Sequence, residues 1–356
     1  MLLSHQTDSE PGLAGTFTAS TITDSSEPAS TPPPIPSSSC STLSCGWHCQ
    51  HTLRGHRSWV RTVAVSPNGQ FIASGSGDKR VALWDLPQRQ HLTFFDSYAG
   101  WVRCVAFSPD GQWLASAGND NAIRLWNMHS QSLAMELYGH RDWVRTVTFS
   151  PDGKYLFSGS QDQTILIWRV GQPRPTKILT GHQHWVRSLA VSPDGSTLVS
   201  GGHDCQIRIQ RLQKRGTNHV LQGHASEVHS VAISPNNWLM ATAGADGFVR
   251  FWKLNSGRLI TEFQAHPAAV NSVSFSPDGK LLVTASSDRT VRLWHIDSGR
   301  LVSILAGHSG WVWSAAFAPD SRTVISGDWS GEVKIWTRQP SDSDTALGVG
   351  NSTGRL

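Results

Sequence analysis

Serine, histidine and aspartate recur together in this chain at fixed separations, and that combination could support nucleophilic hydrolysis. His56, Ser74 and Asp78 form one set, and His140, Ser158 and Asp162 repeat it with the same spacing. In a hydrolase the imidazole takes the hydroxyl proton while the carboxylate orients the imidazole. Repetition argues against that use: a catalytic site is one set made special by its surroundings, and here near-copies follow one another. His224, Thr242 and Asp246, and His266, Thr284 and Asp288, keep the spacing with threonine as the hydroxyl. No residue is therefore read as catalytic. Neither a Gly-x-x-x-x-Gly-Lys loop nor a Gly-x-Gly-x-x-Gly turn between strand and helix is present, so no nucleotide cofactor is expected. Cys40, Cys45, His48, Cys49 and His51 offer enough ligands for zinc, but no C-x-x-C pair stands among them. Cys49 and His51 are read as strand residues, Cys104 and Cys205 as passive singletons, and no metal is expected.

The elements that position these residues follow from the period. Histidines stand at 56, 140, 182, 224, 266 and 308, a step of 42 whose missing rung is Tyr98. Tryptophans 84, 126, 168, 252, 294 and 336 keep the same step, with Gln210 at the missing rung. Seven such units account for residues 49–342 without an insertion. Within a unit, short apolar and β-branched runs such as Trp59-Val-Arg-Thr-Val-Ala-Val65, Phe71-Ile-Ala-Ser74 and Val81-Ala-Leu-Trp84 alternate with turn residues. That pattern suits an all-β array. Ser-Pro-Asp-Gly recurs at Ser108–Gly111, Ser150–Gly153, Ser192–Gly195 and Ser276–Gly279. Proline presets the second turn position and glycine accepts a positive φ, so each marks a tight hairpin.

A Gly-His pair followed about 28 residues later by a Trp resembles the WD-repeat family, although a literal Trp-Asp survives only at Trp84-Asp85. The resemblance implies an all-β, seven-bladed β-propeller of four-stranded antiparallel blades. After Trp336 the chain turns polar, whereas Cys49–Leu53 offers a strand before the first Gly-His. The ring is therefore expected to close with this N-terminal segment as the outer strand of blade 7, which removes an open edge. The resemblance also implies a structural role for the recurring sets. In each blade Trp, Ser or Thr, His and Asp would form a buried hydrogen-bond chain, as in His56, Ser74, Asp78 and Trp84; His140, Ser158, Asp162 and Trp168; His224, Thr242, Asp246 and Trp252; and His266, Thr284, Asp288 and Trp294. Blade 2 has Tyr98 for His, blade 4 Gln210 for Trp, and blade 7 Ser330 for Asp. These three blades are expected to be locally softer.

In the family, the residues opening each innermost strand lie at the rim of the wider, partner-binding face. Here they read Trp59-Val-Arg61, Trp101-Val-Arg103, Trp143-Val-Arg145, Trp185-Val-Arg187, Glu227-Val-His229, Ala269-Val-Asn271 and Trp311-Val-Trp313. The residues flanking each Val share one side of the strand. The aromatic arc should thus run over blades 7, 1, 2, 3 and 4. A further variable position, before the turn acid, contributes His203 and Trp329. Trp and Arg are the residues most enriched in binding hot spots, and guanidiniums suit carboxylates and phosphates. The alternative is that each Trp folds over its own blade, with Arg stacked on it or paired with an acid such as Asp142.

Hydrophobic residues at 38% and charged residues at 16% exclude a disordered chain overall. No apolar run is long enough for a membrane helix. The N-terminus lacks the basic and apolar regions of a secretory signal, and five Cys suggest a reducing, cytoplasmic setting. Residues 1–46, rich in Ser, Thr and Pro, and 343–356 read as disordered tails around a propeller over 47–342. Residues 1–48 carry Asp8, Glu10, Asp24 and Glu27 and no Lys or Arg, so the repeats are more basic than the +4 of the whole chain. The resulting expectation is a monomeric, non-enzymatic protein-protein interaction scaffold binding an acidic or phosphorylated segment on the Trp/Arg face. The alternative is a single-stranded nucleic-acid binder, with Trp stacking bases and Arg neutralising phosphates.

Overall fold

A computed structural model describes residues 46–96, 98–213 and 217–339. Among these, the chain forms seven four-stranded antiparallel sheets. Blade 1 shows the common plan: Val60–Val65 innermost, then Phe71–Ser76, Val81–Asp85 and Gln90–Phe95 outermost. The hairpin between the first two strands turns on Ser66, whose carbonyl accepts from Gly69 N at 2.9 Å and whose hydroxyl accepts from Phe71 N at 2.8 Å. Gly69 has φ +68°, as the turn requires, and the equivalent glycines repeat it. Asn237 and Ser321 hold the same left-handed conformation without being glycine. The faces of each sheet are apolar because the middle strands are buried on both sides, with Ile72, Ala73, Val81, Ala82, Leu83 and Trp84 all in the core. Neighbouring sheets pack face to face: Leu83 of blade 1 shares a core cluster with Leu114 and Trp126 of blade 2.

Successive innermost strands touch around the whole ring, and the last, Val312–Phe317, meets the first, Val60–Val65. The closing strand is Trp47–Leu53. It pairs with Val333–Arg338 in antiparallel register, Trp47 opposite Arg338 and Leu53 opposite Val333. Blade 7 is thus three strands from the end of the repeats and one from before them, as expected. Cys49 and His51 lie in that strand, opposite Trp336 and Ile335. The proposed tails, 1–46 and 343–356, lie outside the described residues apart from Gly46, as do Cys40 and Cys45.

The innermost strands have a free side, and the ring satisfies part of it with side chains. Val63 N donates to Ser314 Oγ at 3.2 Å, Val105 N to Thr62 Oγ1 at 3.4 Å, Val231 N to Ser188 Oγ at 3.1 Å and Val273 N to Ser230 Oγ at 3.1 Å. Ala315 N reaches Ser272 Oγ at 3.5 Å. Cys104 occupies the same register, accepting from Val147 N at 3.4 Å and donating to Val147 O at 3.6 Å. Its thiol titrates above the ordinary value because burial disfavours the thiolate. Cys104 is therefore the sulfur member of a hydroxyl series that links blades 7 and 1, 1 and 2, 2 and 3, 4 and 5, 5 and 6, and 6 and 7.

Replacing Ser230 by Ala leaves the Val273 N–H buried without its acceptor and should cost about 1–3 kcal/mol. Cys104→Ser, which installs the hydroxyl of the neighbouring blades, should leave stability unchanged or raise it. Denaturant melts of the two variants check both signs.

Candidate functional site

Two sets of residues draw attention: the repeated Ser/Thr–His–Asp chains and the Trp/Arg arc. The chains are buried relays. In blade 1, Trp84 Nε1 donates to Ser74 Oγ at 2.8 Å, Ser74 Oγ lies 2.8 Å from His56 Nε2, and His56 Nδ1 lies 2.8 Å from Asp78 Oδ2. An indole N–H can only donate and an ionised carboxylate can only accept. The imidazole must therefore carry its proton on Nδ1, with the hydroxyl donating to Nε2. Asp78 also accepts from Arg57 N and Arg80 N, which fixes the turn. Blade 3 repeats this through Trp168, Ser158, His140 and Asp162. Blade 5 uses Trp252, Thr242, His224 and Asp246. Blade 6 uses Trp294, Thr284, His266 and Asp288. Because the hydroxyl already donates to the imidazole and accepts from an indole, and all four groups are enclosed, the relays are built for holding strands together.

The three departures are resolved differently. In blade 7, Asp328 replaces the missing acid: His308 Nδ1 lies 2.7 Å from Asp328 Oδ2, and Trp336 and Ser326 complete the chain. Asp328 stands two residues before Ser330, at the end of its strand, and Ser330 Oγ donates to it at 2.7 Å. The expected loss in blade 7 is thus corrected; sequence spacing missed Asp328 because the acid moved off the ladder. In blade 2, the Tyr98 hydroxyl takes the imidazole's place against Ser116 and accepts from Trp126 Nε1 at 3.1 Å. Arg124 lies over the Tyr98 ring at 4.6 Å and pairs with Asp120 at 2.7 Å, so a cation bridges the phenol to the acid. Blade 4 keeps His182, Ser200 and Asp204 but has no indole, and Gln210 Oε1 is buried without a partner.

Burial opposes ionisation of the relay carboxylates, yet the histidine bond, its field and the backbone donors outweigh it. Asp78, Asp162, Asp204, Asp246 and Asp328 titrate below the usual 3.8, and Asp288 at about 2. Burial pulls His266 and His308 below 6.5 against the pull of their aspartates.

The arc is continuous. Trp329 stacks on Trp59 at 6.1 Å and 12°, Trp59 meets Trp101 edge-on at 5.2 Å, and Trp101 meets Trp143 at 6.5 Å. On the other side, Trp311 and Trp313 both pack on Trp329, at 5.5 and 6.3 Å. Guanidiniums fill the joints: Arg61 over Trp313 at 4.1 Å, Arg103 between Trp101 and Trp143 at 5.2 and 5.1 Å, and Arg145 over Trp185 at 4.1 Å. Trp185 then packs on His203 at 4.6 Å. Gly77 makes this possible at blade 1, since a Cβ there would sit 2.6 Å from Trp59 Cε2. All twelve predicted rim residues, Trp59 to Trp329, therefore come together, and blades 5 and 6 interrupt the arc.

The geometry differs from a ring of outward-pointing cations. Arg103 and Arg145 are 8% exposed. They bond within their own blades, Arg103 to Asn119 at 2.7 Å and Arg145 to Gln161 at 3.0 Å. Trp329 is the most open indole of the arc, at 38%. Arg187 pairs across to Glu227 at 2.8 Å, and Glu227 also meets His203 at 2.9 Å and His229 at 3.3 Å. Burial raises Glu227, but the His229 bond and the Arg187 and His203 charges bring it to about 2. Burial lowers His229 to about 4, helped by Arg187. This acid–base knot was not legible in the sequence, where Glu227 stood only as the lone acid of the rim.

With the fold and site described, comparison with known proteins identifies the family. The model for the WD domain, G-beta repeat, matches seven stretches: 47–85, 89–127, 131–169, 173–209, 216–253, 257–295 and 299–337. The chain belongs to this family. The WD-repeat protein is also similar, over short stretches, to curated relatives. It is 43% identical to a Lissencephaly-1 homolog of Caenorhabditis briggsae over 14% of this chain and 13% of that protein. It is 50% identical to nuclear distribution protein PAC1 of Candida dubliniensis over 15% of this chain and 10% of that protein. It is 45% identical to pre-mRNA-splicing factor PRP46 of Yarrowia lipolytica over 11% and 9%. Each alignment thus spans about a tenth of the relative's length. Among the described residues of this WD-repeat protein, no helix could cross a membrane and no group of three or more His, Cys, Asp or Glu could hold a metal.

Two measurements follow. His266, His308 and the six shifted relay aspartates bind protons more weakly when folded, so the stability they contribute is full above their unfolded values and declines as pH falls. Urea midpoints should start to drop below about pH 6.5, as the unfolded chain protonates His266 and His308 more readily than the native state does. They should drop more steeply below about pH 4, where the aspartates follow. Hydrogen exchange should show the blade 7 relay as protected as that of blade 3, with blade 4 exchanging first.

Proposed function

We propose that this protein is a non-enzymatic scaffold that docks an acidic or phosphorylated segment of a partner protein on the Trp/Arg arc. The observation that carries the reading is the arc itself: indoles span five contiguous blades and guanidiniums four of them, whereas the rim positions of blades 5 and 6, built on the same fold, carry neither. The fold does not require these residues, and large aromatic and arginine side chains at a rim are those that most often dominate binding. Arg61, Arg103 and Arg145 sit between the indole faces, which supply apolar contact. Charge set among low-polarity rings acts more strongly on an approaching anion than it does in open water. The names of the relatives, one for nuclear distribution and one for splicing, do not choose between cytoplasm and nucleus, and the cytoplasmic assignment rests on cysteine usage alone.

A fluorescein-labelled, glutamate-rich phosphoserine peptide and oligo(dT) are the two probes. Peptide affinity should survive moderate salt and fall at least 10-fold in Trp329→Ala, which alters an open side chain, and further in Trp59→Ala/Arg103→Ala. Circular dichroism confirms folding of each variant. Steeply salt-dependent binding of oligo(dT), with none of peptide, would install the nucleic-acid reading instead. Equal peptide affinity in wild type and Trp329→Ala, together with an unchanged double variant, removes the arc from the binding site.

A further inference from the structure

The interblade tryptophan is the element that blade 4 lacks, and a groove lies beside the position where Gln210 replaces it. Between blades 2 and 3, Trp168 packs in one cluster with Leu125 and Ala115, against Met135 and Val170. One period later, the equivalents of these neighbours are Ile167, Phe157, Lys177 and Leu212, and the equivalent of Trp168 is Gln210. Ile167, Phe157, Lys177 and Leu212 all line a groove of about 880 Å³ between blades 3 and 4. The matching groove between blades 1 and 2, lined by Phe71 and Met128, is about 460 Å³ and lies beside a blade that retains Trp126. Arg208 does not take the indole's place. It bonds Gly181 O, as Arg292 bonds Ala265 O in blade 6, where Trp294 is present.

The chemistry of the lining narrows the ligand. Tyr155, Phe157, Ile167 and Leu212 form apolar walls. Asp152 and Asp194 at the edge are engaged in their own turns, accepting from Ser150 and Ser192 hydroxyls and from Lys154 and Ser196 amides. Arg169 and Lys177 stand exposed at the same mouth, and no ion pair holds either among the described residues. We infer that this groove is a second peptide site, separate from the arc, that takes one aromatic side chain of a partner segment with acidic residues flanking it. The ring enters the position that an internal Trp fills in other blades, and the flanking carboxylates meet Arg169 and Lys177.

The probe is the peptide Ac-Glu-Trp-Glu-NH2, with Ac-Glu-Ala-Glu-NH2 as its control, titrated by calorimetry and by NMR of the ligand. Wild type should bind the Trp peptide saturably and at least 10-fold more tightly than the Ala peptide. Gln210→Trp fills the site from within and should abolish binding while raising the melting temperature, because the new indole can donate to Ser200 as Trp168 does to Ser158. Arg169→Glu/Lys177→Glu should weaken binding at least 10-fold. If Gln210→Trp does not fold, Leu212→Trp blocks the groove from its mouth and decides the matter. Absence of saturable binding, equal binding of the two peptides, or undiminished binding in the filled or charge-reversed variants each overturns the site. None of these outcomes bears on phosphopeptide docking at the arc.

Discussion

A buried imidazole with both nitrogens engaged is the constraint on which this ring depends. One nitrogen holds the hydroxyl of a middle strand and, through it, the indole of the next strand. The other holds the acid of a turn, which in turn fixes backbone amides of the loop that carries the histidine. Three stretches of chain are thereby tied at one point inside an apolar sheet sandwich. Leaving any member unpaired would strand a polar group away from water, so the relay rewards one register and penalises neighbouring ones. The same requirement explains why blades 2 and 7 reconstruct the relay with different atoms.

That economy also separates what was legible in the sequence from what was not. Step-of-42 ladders located the blades, the turns, the relay members and the closing strand, because repetition turns weak local signals into a consistent pattern. Asp328 escaped because its side chain reaches the same point from a shifted position, and a ladder sees only positions. Cys104 looked like a lone residue until the interblade bonds showed that its neighbours in register are hydroxyls. Glu227 illustrates a third limit: its significance depends on Arg187 and His203 of the preceding blade, contacts made across an interface that no local spacing encodes.

The arc shows the same division. Residue types and strand alternation bring twelve side chains to one rim. How cations and rings share that rim is a matter of packing: the guanidiniums slot between indoles, where ring quadrupoles offset their charge, and two of them sink almost out of sight. The rim is consequently more aromatic than a count of its arginines suggests. Its boundary falls at the Arg187–Glu227 knot, where the sign of the surface is balanced within the protein.

The closing strand has a mechanical consequence. Trp47 lies opposite Arg338 and Leu53 opposite Val333, so the incoming and outgoing chain leave blade 7 at the same end of one antiparallel ladder. Tension between them acts along the hydrogen bonds, which run perpendicular to the strands, and falls on a single rung at a time. The rungs part in succession, like a zip, in place of sharing the load as they would under shear. The ring can therefore be peeled open by a tug at its seam that a shear-loaded ladder would withstand.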